Sequence, residues 1–108
     1  MRLDAKKIEL TKDEADEYNR LLDINDIDFD EEGISKDSIP YRHLAKFDDG
    51  VVAELRICAG SHNMWAEVSW FAKDGGEICY TEPFYEIENG DVAECEWDEK
   101  YDVEFKIK

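Results

Sequence analysis

The sequence predicts an α+β domain in which an N-terminal helix packs on a bent antiparallel meander of five to six strands. Three observations predict it. A helix-start signal at Thr11 precedes apolar residues at helical spacing; residues 41–107 alternate apolar and polar side chains in short runs; and turns rich in Gly, Asp and Asn separate those runs.

Residues 7–10 read as a short strand. Thr11 and Glu14 then make a capping box, and Ala15, Tyr18, Leu21 and Leu22 fall on one helical face, which predicts a helix over 12–23. Residues 23–33 interleave Ile24, Ile27 and Phe29 with carboxylates and read as a loop or a charged edge strand. From Pro40 the chain reads as hairpins, with strands over 41–47, 51–58, 64–72 and 77–82. Their turns are Asp48-Asp49-Gly50, Gly60-Ser61-His62-Asn63 and Asp74-Gly75-Gly76; a helix over 40–46 is the alternative for the first strand. Pro83 ends the regular pairing, and Asn89-Gly90 turns the chain into a last hairpin of 92–97 and 101–107.

The 108 residues suit one domain, 1–108, with no internal repeat or linker. An apolar content of 43%, with three Trp, is enough to fold. The formal net charge is −16, about twice the magnitude usual for a small soluble domain. Such a field repels phosphate backbones and anionic lipid, which argues against direct nucleic-acid or membrane binding and in favour of cationic protein partners. Halophilic adaptation would spread its acids evenly, and these are not even. Cys58, Cys79 and Cys95, odd in number and without a CxxC, fit reduced thiols inside a cell. With no signal-peptide pattern and no apolar run near the ~20 residues of a membrane span, the expected location is cytoplasmic.

Residues 13–32 hold ten acids against one base, Arg20, and residues 82–104 hold ten against one base, Lys100. Elsewhere nine acids meet eleven bases, so the excess charge is localised. In the last hairpin Tyr101, Val103, Phe105 and Ile107 alternate and must face the core with Ala93, Cys95 and Trp97. A three-residue loop then sets Glu96 opposite Asp102 and Glu94 opposite Glu104; a five-residue loop sets Glu94 opposite Asp102. Either register opposes like charges, which destabilises a sheet by some tenths of a kcal/mol or more per pair. Glu94, Glu96 and Asp98, about 6.8 Å apart along the strand, would form a row of anions beside Asp102 and Glu104 that imitates a phosphate backbone. The competing readings are a solvated face that keeps the protein soluble and a charged, protected sheet edge.

Asp28, Asp30, Glu32 and Gly33 match the start of an EF-hand loop, but Ser35 and Ile39 fall where an aliphatic and the closing Glu belong. Loose divalent-cation binding along 23–32 remains a lesser reading. Cys58 and His62, with Cys79, Cys95 or His43, lack a diagnostic zinc spacing. Two His give little scope for nucleophilic catalysis and no phosphate loop is present, so neither an enzyme nor a cofactor is expected. Met64, Ala66, Val68 and Trp70 take the apolar face of their strand. Trp65 and Phe71 are left on the other face beside Glu67 and Ser69, and Phe84 and Tyr85 follow Pro83. Trp65, Phe71 and Tyr85 are therefore the candidate aromatic anchors for a protein partner.

Residues 45–82, with Phe-Asp-Asp-Gly, Glu-Leu-Arg-Ile-Cys-Ala-Gly and Glu-Val-Ser-Trp-Phe-Ala-Lys-Asp-Gly-Gly, resemble small acidic accessory proteins of phages and mobile elements of Gram-positive bacteria. That resemblance implies an anti-CRISPR or other anti-defence protein that imitates DNA, and carries over no site residue. The expectation is a stoichiometric inhibitor that occupies a basic nucleic-acid channel, such as that of a CRISPR effector nuclease, through Asp23, Asp26, Asp28, Asp30, Glu31, Glu32, Glu94, Glu96, Asp98, Asp102 and Glu104. The alternative is a regulatory or adaptor module that binds through its exposed aromatics.

Overall fold

The computed structural model describes residues 6–23, 43–59, 64–81, 86–96 and 98–108. The strand β1 (Lys6–Leu10) feeds Ile8 and Leu10 into the core, and the helix α1 (Lys12–Leu22) begins one residue later. The capping box is formed: the Glu14 N–H donates to Thr11 Oγ1 at 3.1 Å, and the Thr11 N–H donates to Glu14 Oε1 at 2.9 Å. Both donors would otherwise lack a partner at a helix start. Ala15, Tyr18, Leu21 and Leu22 are buried, as their spacing requires, and the helix lies against β1 and the strand β4 (Met64–Phe71). Glu14 also reaches out of the helix to His43 Nε2 at 2.9 Å. The Thr11 N–H, followed by its hydroxyl and by His43, holds the Glu14 carboxyl below the usual range.

The strands β2 (His43–Lys46), β3 (Val52–Ala59), β4 and β5 (Glu77–Tyr80) form an antiparallel sheet in chain order. Residues 43–46 are thus strand, not helix. Ala53, opposite Trp70, and Leu55, opposite Val68, face the core and are fully buried. The β2–β3 turn needs Gly50 at φ 91°, and the Lys73 side chain approaches to 3.1 Å of where a Cβ would stand.

A second sheet has the order β1-β7-β6, from β6 (Val92–Ala93) and β7 (Val103–Ile107). Here β1 runs parallel to β7, with Ile8 beside Phe105 and Leu10 beside Ile107. The pair is closed by Lys6 N–H to Asp102 O at 3.1 Å and Lys108 N–H to Leu10 O at 2.8 Å. The fold is therefore α+β, but seven strands in two sheets replace the expected single meander of five to six among the described residues. Alternation reveals a strand and its buried face, not its neighbour, so the pairing of the two ends of the chain escaped it.

The last hairpin differs most from expectation. Val92 lies opposite Glu104 and Ala93 opposite Val103, the register of the five-residue loop, but the ladder stops there. A 3-10 turn, Glu99–Tyr101, returns the chain: the Tyr101 N–H donates to Asp98 O at 3.0 Å and the Lys100 N–H to Asp98 Oδ1 at 3.1 Å. Core-facing parity held at Ala93, Cys95, Tyr101, Val103 and Phe105, which are buried; Ile107 is half-buried and Trp97 lies outside the described residues. Burial does not require a ladder, however, and Glu96 has no strand position opposite Asp102. Asp102 itself is 2% exposed, which removes it from any surface row of anions. Glu104 lies between Val92 and the cationic Lys7 of β1 rather than opposite another carboxylate.

Candidate acidic docking surface

Described parts of the two acidic blocks, remote in sequence, meet at Asn19 and Ile87. The side-chain amide of Asn19 on α1 binds the backbone of Ile87 twice: Oδ1 accepts the Ile87 N–H at 2.7 Å and Nδ2 donates to the Ile87 carbonyl at 3.1 Å. Ile87 is 1% exposed and acts as the apolar peg of an otherwise charged Glu-Ile-Glu segment. The same segment is tied to β7, with Gly90 N–H to Phe105 O at 2.9 Å, Phe105 N–H to Asp91 O at 2.9 Å and Ile107 N–H to Asn89 Oδ1 at 3.2 Å. Asp91 closes the Asn89-Gly90 turn by accepting the Glu88 N–H at 2.8 Å, so folding accounts for that carboxylate.

Around this junction stand four exposed carboxylates. Asp16 lies on α1 three residues before Asn19 and Asp23 caps the helix's C-terminal end four residues after, while Glu86 and Glu88 flank Ile87. The helix's own bases are engaged locally: Lys12 Nζ with Asp16 at 2.9 Å, and Arg20 with both oxygens of Glu17 at 2.8 and 3.1 Å. Like charges meeting where two elements dock oppose the docking, and a Lys at any of the four positions would relieve them. Glu94 and Glu96 are exposed beyond β6 and extend the same run of chain.

The other expected site residues fall elsewhere. Asp98 is half-buried and spends a side-chain oxygen on the 3-10 turn, with Lys100 Nζ at 3.9 Å. Lys100 also lies 3.6 Å from Asp49 and 4.7 Å from the centre of the Tyr101 ring. The Tyr101 hydroxyl donates to Asp49, while its carbonyl accepts the Trp70 indole N–H at 2.6 Å. The Tyr101 hydrogen bond, then the Val51 N–H, holds the Asp49 carboxyl low; Asp49 in turn pushes the Tyr101 phenol up.

Trp65 is half-buried against the core cluster and donates its indole N–H to Glu67 Oε2 at 3.3 Å. The other Glu67 oxygen accepts from Arg56 Nη2 at 3.1 Å and from Ser69 Oγ at 3.3 Å. Arg56 reaches on to Glu77 at 3.2 Å. The face that left Trp65 beside Glu67 is thus a hydrogen-bonded network about a buried carboxylate, not an open aromatic anchor. Cys58 borders it as a free thiol whose pKa burial, and then Glu67, push up, which keeps it protonated and a poor nucleophile. Asp26, Asp28, Asp30, Glu31, Glu32 and Tyr85 lie outside the described residues, as do His62 and Trp97.

Asn19 and Ile87 were missed by sequence reasoning. An Asn in mid-helix, a weak helix former, and an isolated Ile between two Glu were the available signals. Tyr80, 60% exposed on β5, was likewise passed over. Among the described residues, no group of three or more His, Cys, Asp and Glu side chains is arranged to hold a metal ion, and no helix is long and apolar enough to cross a membrane. Comparison with family models, with curated proteins and with solved structures finds no match to this chain.

Proposed function

We propose that the protein is a stoichiometric, non-enzymatic inhibitor whose joined acidic surface occupies the basic nucleic-acid-binding channel of a partner protein. The observation that carries this reading is the Asn19–Ile87 junction, which ties the helix of the first acidic block to residues 86–91 of the second, with Asp16, Asp23, Glu86 and Glu88 exposed near it along the chain. Carboxylates on a rigid surface offer bidentate acceptors to Arg side chains of the kind that line such channels and read short DNA motifs. A CRISPR effector nuclease, or another anti-defence target, has a channel of this chemistry. The protein's place is then in the cytoplasm, where such targets act.

The reading is tested by competition. A basic DNA-binding nuclease recovered with the protein should release labelled DNA as the protein is added, to a 1:1 end point, and the competition should weaken as salt rises. Binding that leaves the DNA in place overturns it.

A further inference from the structure

Asn89-Gly90 turns the 86–91 segment onto β7, and it is also a chemically labile pair. An Asn side chain followed by Gly is open to attack by the next backbone nitrogen, because Gly has no Cβ to hinder the approach. Packing does not shield the pair: Asn89 is exposed, Gly90 has φ 91°, and no atom beyond its chain neighbours lies within 4 Å of where a Gly90 Cβ would stand. Hydrogen bonds hold it instead. The Gly90 N–H donates to Phe105 O at 2.9 Å, and Asn89 Oδ1 accepts the Ile107 N–H at 3.2 Å. The turn is also closed on itself, by Asp91 N–H to Glu88 O at 3.1 Å and Glu88 N–H to Asp91 Oδ2 at 2.8 Å. The attacking nitrogen must first lose its proton, and here that proton is held by a carbonyl. The Ile107 N–H draws charge toward Oδ1 and by itself would favour attack, but it also fixes the side chain on β7 while the nitrogen is tied to Phe105, two residues away.

We infer that Asn89 is a deamidation site gated by the docking of residues 86–91 on β7, closed while those bonds hold and reactive when the segment lifts. In the lifted segment the Gly90 nitrogen bonds to Cγ of Asn89, and the side-chain amide nitrogen leaves as ammonia with the proton that Gly90 gave up. The succinimide ring that remains takes up one water and opens to an aspartyl or an isoaspartyl residue, with no oxidant or reductant involved. Either product adds a carboxylate between Glu88 and Asp91. The isoaspartyl product also routes the main chain through the former side chain and lengthens it by one atom. Positions 89 and 90 then no longer meet Ile107 and Phe105 together, and the segment cannot dock as before. Asn19 guards the same segment from its other side, through its hydrogen bonds of 2.7 and 3.1 Å to Ile87. The inference rests on these bonds and stands without the inhibitor reading.

The test follows deamidation of the full chain in mildly alkaline buffer, by the mass gain of about 1 Da in the fragment that carries Asn89, beside amide exchange at Gly90 and Ile107. The folded chain should deamidate at least about tenfold more slowly than the same chain unfolded in urea. Asn19→Ala should speed Gly90 exchange and Asn89 deamidation by similar factors, since one opening exposes both. If that variant does not fold, sub-denaturing urea on the wild-type chain supplies the same comparison of the two rates. A folded rate equal to or above the unfolded one would overturn the inference, and so would faster Gly90 exchange with deamidation unchanged.

Discussion

Asn19 binds the backbone of Ile87, 68 residues further along the chain, through both its side-chain oxygen and its side-chain nitrogen. One side-chain amide therefore anchors the 86–91 segment against α1. Asn19→Ala leaves the N–H and carbonyl of buried Ile87 without those partners and should cost about 1–3 kcal/mol in denaturant unfolding. Asn19→Asp keeps the acceptor, loses the donor and adds a charge beside Glu86 and Glu88, so it should be no better than Ala above pH 5 and should recover part of the loss as the carboxyl protonates. Full stability in Asn19→Ala would mean that the junction is incidental.

Asp49 and Tyr101 link the β2–β3 turn to the 3-10 turn before β7, and they make stability depend on pH at both ends. The Asp49 pKa is lowered in the folded state, so its contribution is present above the unfolded carboxylate pKa, about 4, and is lost as pH falls through the lower folded value. The Tyr101 pKa is raised, so its contribution is present below the unfolded phenol pKa, about 10, and is lost as pH rises through the higher folded value. Tyr101→Phe should remove the alkaline dependence and weaken the acid one, part of which the Val51 N–H retains. The check is the pH profile of the thermal midpoint: a variant that merely lowers the whole profile without changing its two limbs would contradict the linkage.

Glu67 gathers Arg56, Trp65 and Ser69 on the outer side of β3 and β4. Glu67→Ala should cost about 2–3 kcal/mol, since it leaves several partly buried donors unsatisfied. Glu67→Gln keeps one acceptor oxygen and should cost less. Indole fluorescence should report the loss through Trp65, and an unchanged spectrum would argue against the contact.

Much of this fold was legible in the sequence, and the illegible part is specific. The Thr11–Glu14 capping box, the buried stripe from Ala15 to Leu22 and the Ala66-Val68-Trp70 face follow from local spacing, and all are present. Local spacing cannot announce that Lys6–Leu10 pairs in parallel with Val103–Ile107, because the two strands share no turn. The same limit misled the site. Carboxylate alternation over residues 94–104 suggested a row of facing anions, yet Asp102 is buried and Glu104 neighbours Lys7. The contact that joins the acidic blocks rests on one Asn and one Ile, neither of which stands out until the backbone of Ile87 is seen to need partners.

The four carboxylates at the junction separate binding from folding. Asp16→Asn, Asp23→Asn, Glu86→Gln and Glu88→Gln together remove four exposed negative charges, of which only Asp16 is ion-paired among the described residues, with the exposed Lys12, so thermal stability should hold, with each change within about 0.5 kcal/mol. A marked fall in stability would show that these acids serve the fold.

The most direct measurement is affinity capture of the tagged protein beside that fourfold variant, from a bacterial lysate with elution in rising salt. The account predicts that the wild-type protein retains a basic nucleic-acid-binding protein, that the partner leaves at moderate salt, and that the variant fails to retain it. Equal retention by both, through high salt, would contradict the acidic surface as the site of binding.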